Sequence, residues 1–381
     1  MLLGGGVEYK SLREVCKTLP KGTLKKDEVN QTSQYPVING GCELYGFYDK
    51  YNNEANAFTF SARGSAGFVS YFNTRFWAGG LCYPYTSKNE NILITKFIYY
   101  YLKSQEQNIM DTLVARGSIP ALNKSDIDNL KIPIPPLPIQ EEIVKILDTF
   151  TELEGELEAE LKLRQKQYKY YLNKLLSFEN DGGGGLVQWL EMQEVFDIRN
   201  GYTPSKAKAE YWEGGNIPWF RMEDIRTNGR MLSDSIQHIT KQAVKGKLFP
   251  ANSIIVATTA TIGEHALITV DCLANQQFTF LTKKQTVGNK LNMKFFYYYM
   301  FIVDEWCKEH VNSSSFASVD MAAFRKLKIP IPPLEEQERI VGILDKFDEL
   351  VSDISLGIPA EIQMRKKQYE YYRDKLLRFE E

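Results

Sequence analysis

Histidine, cysteine and paired carboxylates are the side chains from which metal sites, nucleophiles and acid–base pairs are built, and their spacing here suits none of that work. His238, His265 and His310 lie far apart in the sequence, so only proximity in the fold would make a metal site of them. Cys16, Cys42, Cys82, Cys272 and Cys307 are odd in number and contain no Cys-x-x-Cys pair, which predicts buried, reduced thiols and no disulfide framework or zinc site. Acid pairs are plentiful on the helical stretches, where carboxylates usually face solvent. Adenine methylation would need a glycine-rich cofactor loop and an Asn-Pro-Pro-aromatic or similar segment, and a translocase would need Gly-x-x-x-x-Gly-Lys-Ser/Thr; neither occurs. The chain is expected to catalyse nothing by itself.

What the sequence does carry is a duplicated frame. Leu130-Lys-Ile-Pro-Ile-Pro-Pro-Leu137 returns as Leu327-Lys-Ile-Pro-Ile-Pro-Pro-Leu334, and each copy runs into a long helical pattern ending in Gln-Tyr-x-Tyr-Tyr and Lys-Leu-Leu-x-Phe-Glu. A repeat of about half the chain means two similar modules, each a globular segment followed by a helix. The globular entrances match weakly (Val7–Val15 against Val187–Val195), as do Phe97–Tyr101 and Phe295–Tyr299, while the stretches between diverge. A shared frame with different filling suits two reading heads for two targets. Short β-rich runs, Phe58–Ala62 and Ser253–Thr258, end in the small-residue loops Arg63–Gly67 and Thr259–Gly263, and Asn39-Gly40-Gly41 and Asn200-Gly201 are turn signals. The heads are assigned to a mixed α+β class.

The helical stretches are the strongest local signal. Ile143, Leu147, Phe150, Leu153, Leu157, Leu161, Arg164, Tyr168, Tyr171 and Leu175 recur three or four apart, and Ile340 to Leu376 repeats the pattern. A narrow apolar stripe over some 40 residues, roughly 60 Å of helix, predicts two long antiparallel helices packed as a coiled coil. The second copy is four residues longer and holds Gly357 and Pro359, where a proline inside a helix predicts a kink. Proline in the repeated Ile-Pro-Ile-Pro-Pro suits an extended exit from a domain and the first turn of a helix, so it fixes the angle between head and rod. The expected order is a first head (1–136), a helical repeat (137–181), a flexible glycine joint (182–186), a second head (187–333) and a second helical repeat (334–381), with an internal pseudo-twofold relation.

Composition agrees with this reading and narrows the class. With 381 residues, 43% hydrophobic and 25% charged, the chain is ordinary globular material sufficient for two cores. The start has no basic region or sustained apolar run, and Met293–Val303 is too short to span a bilayer, so a cytoplasmic protein without a membrane partner is expected. The net charge of −2 is unevenly spread. Stretches 141–179 and 335–381 hold 14 Lys and Arg against 21 Asp and Glu, leaving 32 basic and 27 acidic residues elsewhere from totals of 46 and 48. The mildly basic heads permit phosphate contact without demanding it.

These features resemble the specificity subunit of Type I restriction-modification systems over nearly the whole chain. The doubled Ile-Pro-Ile-Pro-Pro-Leu followed by Gln140 or Gln337 and Ile-Val-x-Ile-Leu-Asp carries the likeness. So do Gly201-Tyr-Thr-Pro-Ser205, Tyr211-Trp-Glu-Gly-Gly-Asn-Ile-Pro-Trp219 and Asn275-Gln-Gln277. The first head departs from that version, with Tyr35–Gly41 and Ala62–Ser65 resembling another recognition-domain subgroup, so the two targets should differ.

The resemblance implies that each head reads one half of an asymmetric, bipartite site in double-stranded DNA while the helices set the gap. It also implies that two methylation subunits dock on the helices and restriction subunits join them. S-adenosylmethionine, ATP and Mg are then expected on those partners, with no cofactor or metal on this chain. Candidate DNA contacts in the first head are Asn39, Arg63, Ser65, Arg75 and Arg116, arginine being suited to guanine's acceptor edge and to phosphate. In the second head they are Thr203, Ser205, Lys206, Arg221, Thr259, Thr261, Gln276 and Gln277; with Asn275, the two glutamines are of the amide type that binds adenine bidentately or caps backbone groups. Arg164, Tyr168, Tyr171, Arg365, Tyr369 and Tyr372 are candidates for the partner surface, at a helical spacing that favours packing or protein contact over base stacking. Two other readings stay open: the recognition module of a Type IIG or IIB-like restriction system, and a coiled-coil adaptor that binds no DNA.

Overall fold

The computed structural model describes residues 7–115, 117–178, 187–312, 317–352 and 357–379. Gly4–Gly6, the expected glycine joint at 182–186 and candidate Arg116 lie outside these residues. Among the described residues five helices reach ten residues or more: α1 (Thr95–Ser104), α2 (Leu137–Leu176), α3 (Met293–Glu309), α4 (Leu334–Ser352) and α5 (Ile358–Leu376). The chain divides into two compact units, Met1–Ala159 with Ala360–Glu381, and Glu160–Pro359, so each globular head groups with parts of both helical repeats.

In the first unit, Glu8–Ser11 pairs antiparallel with Lys131–Ile134, placing Tyr9 opposite Pro133. In the second, Gln188–Glu191 pairs with Lys328–Ile331 in the same register, with Trp189 opposite Pro330. The repeated proline motif is therefore an edge strand that fastens the exit of each head to its entrance. A proline is tolerated in such a strand because the other edge needs no donor from it.

The heads share a topology that their sequences conceal. The first has a four-stranded antiparallel sheet in the order Cys16–Thr18, Cys82–Ser87, Ala57–Ser61, Val69–Phe72. The second has Phe196–Asn200, Phe278–Lys283, Ser253–Ala257, His265–Ile268, with Met231–Leu232 added at the edge in parallel. Each head also has a three-stranded mixed sheet whose central strand, Tyr35–Ile38 or Ile217–Phe220, has one antiparallel and one parallel neighbour. Fully buried Phe58, Phe60, Phe97 and Tyr85 fill the first main core, and Phe196, Phe278, Phe280, Phe295 and Phe296 are equally enclosed in the second head. Of the five cysteines, Cys16, Cys82, Cys272 and Cys307 are buried as expected, with burial pushing the thiols of Cys16, Cys82 and Cys307 up to about 12. Cys42 departs from the expectation and is exposed, because it sits on a turn beyond the sheet end.

Each rod helix begins with the same buried lock. Gln140 is 0% exposed; its Oε1 accepts from the Ile94 amide at 2.9 Å, and its Nε2 donates to Ile92 O at 2.9 Å and Pro135 O at 2.7 Å. Gln337, also 0% exposed, does the same with Asn292 N at 2.8 Å and with Lys290 O and Pro332 O at 2.7 Å. Two turns on, Asp148 accepts from Lys96 Nζ at 2.7 Å and the Tyr100 hydroxyl at 2.6 Å, and Asp345 accepts from Lys294 Nζ at 2.7 Å and the Tyr298 hydroxyl at 2.5 Å. Burial, and then the hydrogen bond to the carboxylate, hold both phenols above their ordinary pKa.

The helices depart from the expected uniform rod in two ways. Among the described residues the second repeat comprises α4, described to Ser352, and α5 from Ile358, with Gly357 in a bend just before it, whereas α2 is continuous over 40 residues. Pro359 stands in the first turn of α5, where its missing N–H costs no helical bond, and not inside a kinked helix. Leu153, assigned to the apolar stripe, is exposed, whereas Leu172, Leu176 and Leu377 are buried in head cores. Towards its ends a helix packs on a head as well as on another helix, and this widens the buried face. In the first unit, Phe150 of α2 stacks on Tyr372 with ring centroids 5.5 Å apart, and Lys366 pairs with Glu154 at 3.1 Å and Glu158 at 3.3 Å. Rising numbers on α2 meet falling numbers on α5, an antiparallel pairing.

Candidate nucleic-acid interface

In the second head, antiparallel pairing brings four chain turns to one end of the main sheet. Asn200 lies opposite Thr279, Ala257 opposite Phe278 and Val256 opposite His265, so the loops after 200 and 257 meet those before 265 and 278. A polar ladder lies beneath them: Thr279 Oγ1 donates to Asn200 Oδ1 at 2.9 Å and lies 2.9 Å from Thr258 Oγ1. The Thr203 hydroxyl donates to Gln276 Oε1 at 2.5 Å, Asn275 Nδ2 donates to Gln277 Oε1 at 3.1 Å, and the Thr258 amide donates to Gln277 O at 3.0 Å. Arg221 follows the strand Ile217–Phe220, whose parallel partner leads into Asn275; the Asn275 amide donates to Phe220 O at 3.0 Å. Thr203, Arg221, Gln276, Gln277 and the loop of Thr259 and Thr261 are therefore gathered at one end, with exposed Ser205 and Lys206 on the same loop as Thr203.

These groups differ in how free they are to meet a ligand. Gln276 is exposed, while Gln277 and Asn275 are half-buried and already bonded to each other, an arrangement that shapes the turn. Arg221 is engaged with Glu223 at 2.9 Å and lies over the Trp219 ring, 5.9 Å from its centroid. Between Thr259 and Thr261, Ala260 takes φ 62°, a left-handed geometry concentrated in turns and functional loops. A lysine group that linear reading missed lies alongside: the Lys245 amide donates to the Tyr202 hydroxyl at 2.5 Å, so exposed Lys241, Lys245 and Lys247 border the 202–206 loop. The aromatic anchor Tyr202 connects these distant stretches, and sequence spacing gives no sign of it.

The first head gathers a different set at the corresponding end. Asn39 Oδ1 accepts from the Leu81 amide at 3.0 Å, the Ser65 amide donates to Gly40 O at 3.0 Å, and Ser61 Oγ donates to Gly41 O at 3.1 Å. Close backbone approach requires the glycines here: a Cβ on Gly40 would lie 2.7 Å from Arg63 O, and Gly64 has φ +79°. Asn39, exposed Arg63 and Ser65 thus come together, joined by Lys21, whose Nζ donates to Gly80 O at 3.1 Å, and by exposed Leu81. Arg75 is not brought to this cluster. It precedes the strand whose far end leads to Gly79, and it is held by Glu54 at 2.8 Å and by the Tyr51 ring.

Exposure and placement at this cluster give a direct chemical test. A maleimide reagent is expected to modify Cys42 alone in the folded protein, since the other four thiols are buried, and bound DNA should slow that reaction at least several-fold. Equal labelling with and without DNA would place the interface elsewhere.

The rod residues sort themselves equally clearly. Tyr168 and Tyr171 stack on Phe347 with centroids 6.2 and 5.3 Å apart in the second unit; Tyr369 and Tyr372 pack on Phe150 at 6.4 and 5.5 Å in the first. Arg164 is tied to Glu160 at 3.3 Å and Gln167 at 3.1 Å along its own helix, and Arg365 to Glu361 at 3.3 Å and Gln368 at 3.2 Å. The most exposed tyrosines of these clusters are the middle members, Tyr170 at 58% and Tyr371 at 61% exposure, each seven residues beyond an exposed Leu163 at 65% or Met364 at 62%, while Tyr372, stacked on Phe150, is exposed at 43%.

Among the described residues, no three His, Cys, Asp or Glu side chains come together in a way that would hold a metal ion. His265 is buried with Nδ1 2.6 Å from Asp304 Oδ2, within the second head. No helix among the described residues is long and apolar enough to cross a membrane.

Comparison with known proteins gives a consistent answer. The Type I restriction modification DNA specificity domain family matches residues 5–163 and again 187–364. The Type I restriction enzyme EcoprrI specificity subunit of Escherichia coli is 53% identical over 219 residues, 55% of this chain and 53% of that one. The EcoR124I/EcoR124II specificity subunit of Escherichia coli is 36% identical over 408 residues, spanning 100% of this chain and 96% of that one. Among solved structures, the Type-I restriction-modification system S subunit from M. genitalium superimposes with a TM-score of 0.62 at 19% identity, covering 100% and 98% of the two chains.

Proposed function

The chain belongs to the family of Type I restriction-modification specificity subunits, and from that premise we propose that each head reads one half of an asymmetric, bipartite DNA site through the loops at one end of its main sheet. One observation carries the reading: a shared sheet frame delivers divergent, donor-rich loops to the same end of both heads. Arg63 in the first head and Gln276 in the second are the exposed groups best matched to base edges, guanine for the guanidinium and adenine for the amide. Lys21 and Lys206, with the lysines at 241, 245 and 247, are placed for phosphates, which position a protein without reading sequence.

The helices set the gap between half-sites and carry two methylation subunits, which restriction subunits join. The chain itself is non-catalytic; S-adenosylmethionine, ATP and Mg belong to its partners, and the complex works in the cytoplasm. Docking falls to the repeated face of Leu163 and Tyr170 and of Met364 and Tyr371, since two copies of one exposed apolar pattern suit two copies of one partner. A surplus of only five basic residues outside the helices makes the isolated chain a weak DNA binder, to which partners add phosphate contacts.

Modified-base sequencing tests this reading in a methylation-free host that expresses the chain with its adjacent methylation subunit. Adenine methylation at one split, asymmetric motif, lost when the chain is omitted, is the expected result. A soluble complex that produces no new motif would refute it.

A further inference from the structure

We propose that the buried glutamine locks, Gln140 and Gln337, are positioning residues that fix the permitted gap between the half-sites by holding each head at one angle on its own helix. This rests on the bipartite reading above and adds to it a determinant separate from helix length. The two locks are alike atom for atom: one amide ties the first turn of the helix to the proline exit (Pro135 O, Pro332 O) and to the backbone just before or at the start of α1 or α3 (Ile92 O and Ile94 N, Lys290 O and Asn292 N). The second fastening, Asp148 to Lys96 and Tyr100 or Asp345 to Lys294 and Tyr298, lies two turns further along. Two fastenings separated along the axis resist rotation of a helix on a domain, whereas either alone leaves a pivot.

DNA geometry makes that angle matter. Adding one base pair moves the second half-site about 3.4 Å along the axis and turns it by roughly 35°. Two heads held at fixed angles reject that displacement, and heads free to rock accept it. Gln140 and Gln337 lie outside the loop clusters that meet bases, so their loss should alter spacing without altering the half-sites read.

The test compares wild-type chain with the Gln140→Leu variant, each expressed with the methylation subunit in a methylation-free host and read by modified-base sequencing. Both half-sites should persist, with methylation also appearing at gaps one base pair longer or shorter, and the preference for the native gap should fall by about tenfold. A uniform loss of methylation at an unchanged single gap would overturn the proposal, because simple destabilisation lowers occupancy without broadening spacing. If the leucine variant does not accumulate, Gln140→Met keeps the side-chain length, removes the same three hydrogen bonds, and decides the question by the same gap distribution. Absence of any split motif with the wild-type chain would count against the bipartite reading itself, so the two failures are distinguishable.

Discussion

The Gly201→Ala variant is expected to lose recognition of one half-site, by at least about 100-fold in binding, and to keep the other. A β-carbon at this position would stand 2.3 Å from Ala274 O and 2.5 Å from Asn275 O, distances that backbone atoms never tolerate. The loop from 201 and the turn through 275–277 must therefore separate, breaking the Thr203–Gln276 hydrogen bond and moving both away from the polar ladder below. Base contacts of this type contribute about 1–3 kcal/mol each, so losing two of them suffices for the stated factor. The fully buried side chains Phe196, Phe278 and Phe280 are not altered, so the second head should remain folded, which circular dichroism and thermal unfolding would verify. Footprinting on a duplex with both half-sites should then show protection of the first half only. Full protection of both halves would mean that these loops are not the reading surface.

Much of this architecture is legible in the residues themselves. The duplicated Ile-Pro-Ile-Pro-Pro-Leu announced a repeated frame, and its two copies do adopt one strand register. The helical stripe announced both helical repeats, since a period of three or four survives whatever the helix packs against, but not the division of the second into α4 and α5. The loops at Arg63–Ser65, Thr203–Lys206 and Thr259–Thr261 were findable as small, polar breaks after apolar runs.

What the sequence withheld were the facts that depend on which residues become neighbours. Gln140 and Gln337 stood inside the repeated motif, yet nothing in their spacing reveals that the acceptors of each amide are two carbonyls, one of them over forty residues away. Lys241, Lys245 and Lys247 are brought beside the 202–206 loop by contacts with Tyr202, whose hydroxyl accepts from the Lys245 amide. Arg75 had the right chemistry and a loop position, and the fold nonetheless places it beside Glu54, away from the other candidates. The tyrosine clusters show the same limit at finer scale: the apolar stripe already puts Tyr168 and Tyr171 on the packing face, and their contact with Phe347 turns inward two residues that are also candidates for the partner surface.

That inversion directs the second large effect. Replacing both Tyr170 and Tyr371 by alanine is expected to abolish stable association with the methylation subunit, whereas either single change should leave a complex with one copy in place of two. Each ring projects from its helix with its edge against a packed neighbour, Tyr170 on Tyr171 and Tyr371 on Tyr372, with centroids 5.3 Å apart in both cases. A lysine one turn on lies 5.7 Å from each ring centroid, Lys174 for Tyr170 and Lys375 for Tyr371. A preoriented aromatic with an exposed aliphatic neighbour, Leu163 or Met364, has the makeup of an interface anchor, and truncating such a tyrosine costs about 2 kcal/mol or more, roughly 30-fold in affinity. The inward tyrosines provide the contrast. Tyr168→Ala would remove packing on Phe347 and should lower the unfolding temperature, while Tyr170→Ala, acting on an exposed ring, should leave it nearly unchanged. Sedimentation of the purified chain with increasing methylation subunit reads both quantities, the number bound and the concentration required. Two copies bound by the double variant at wild-type affinity would remove this face from the assembly and return the choice to other surfaces of the same helices.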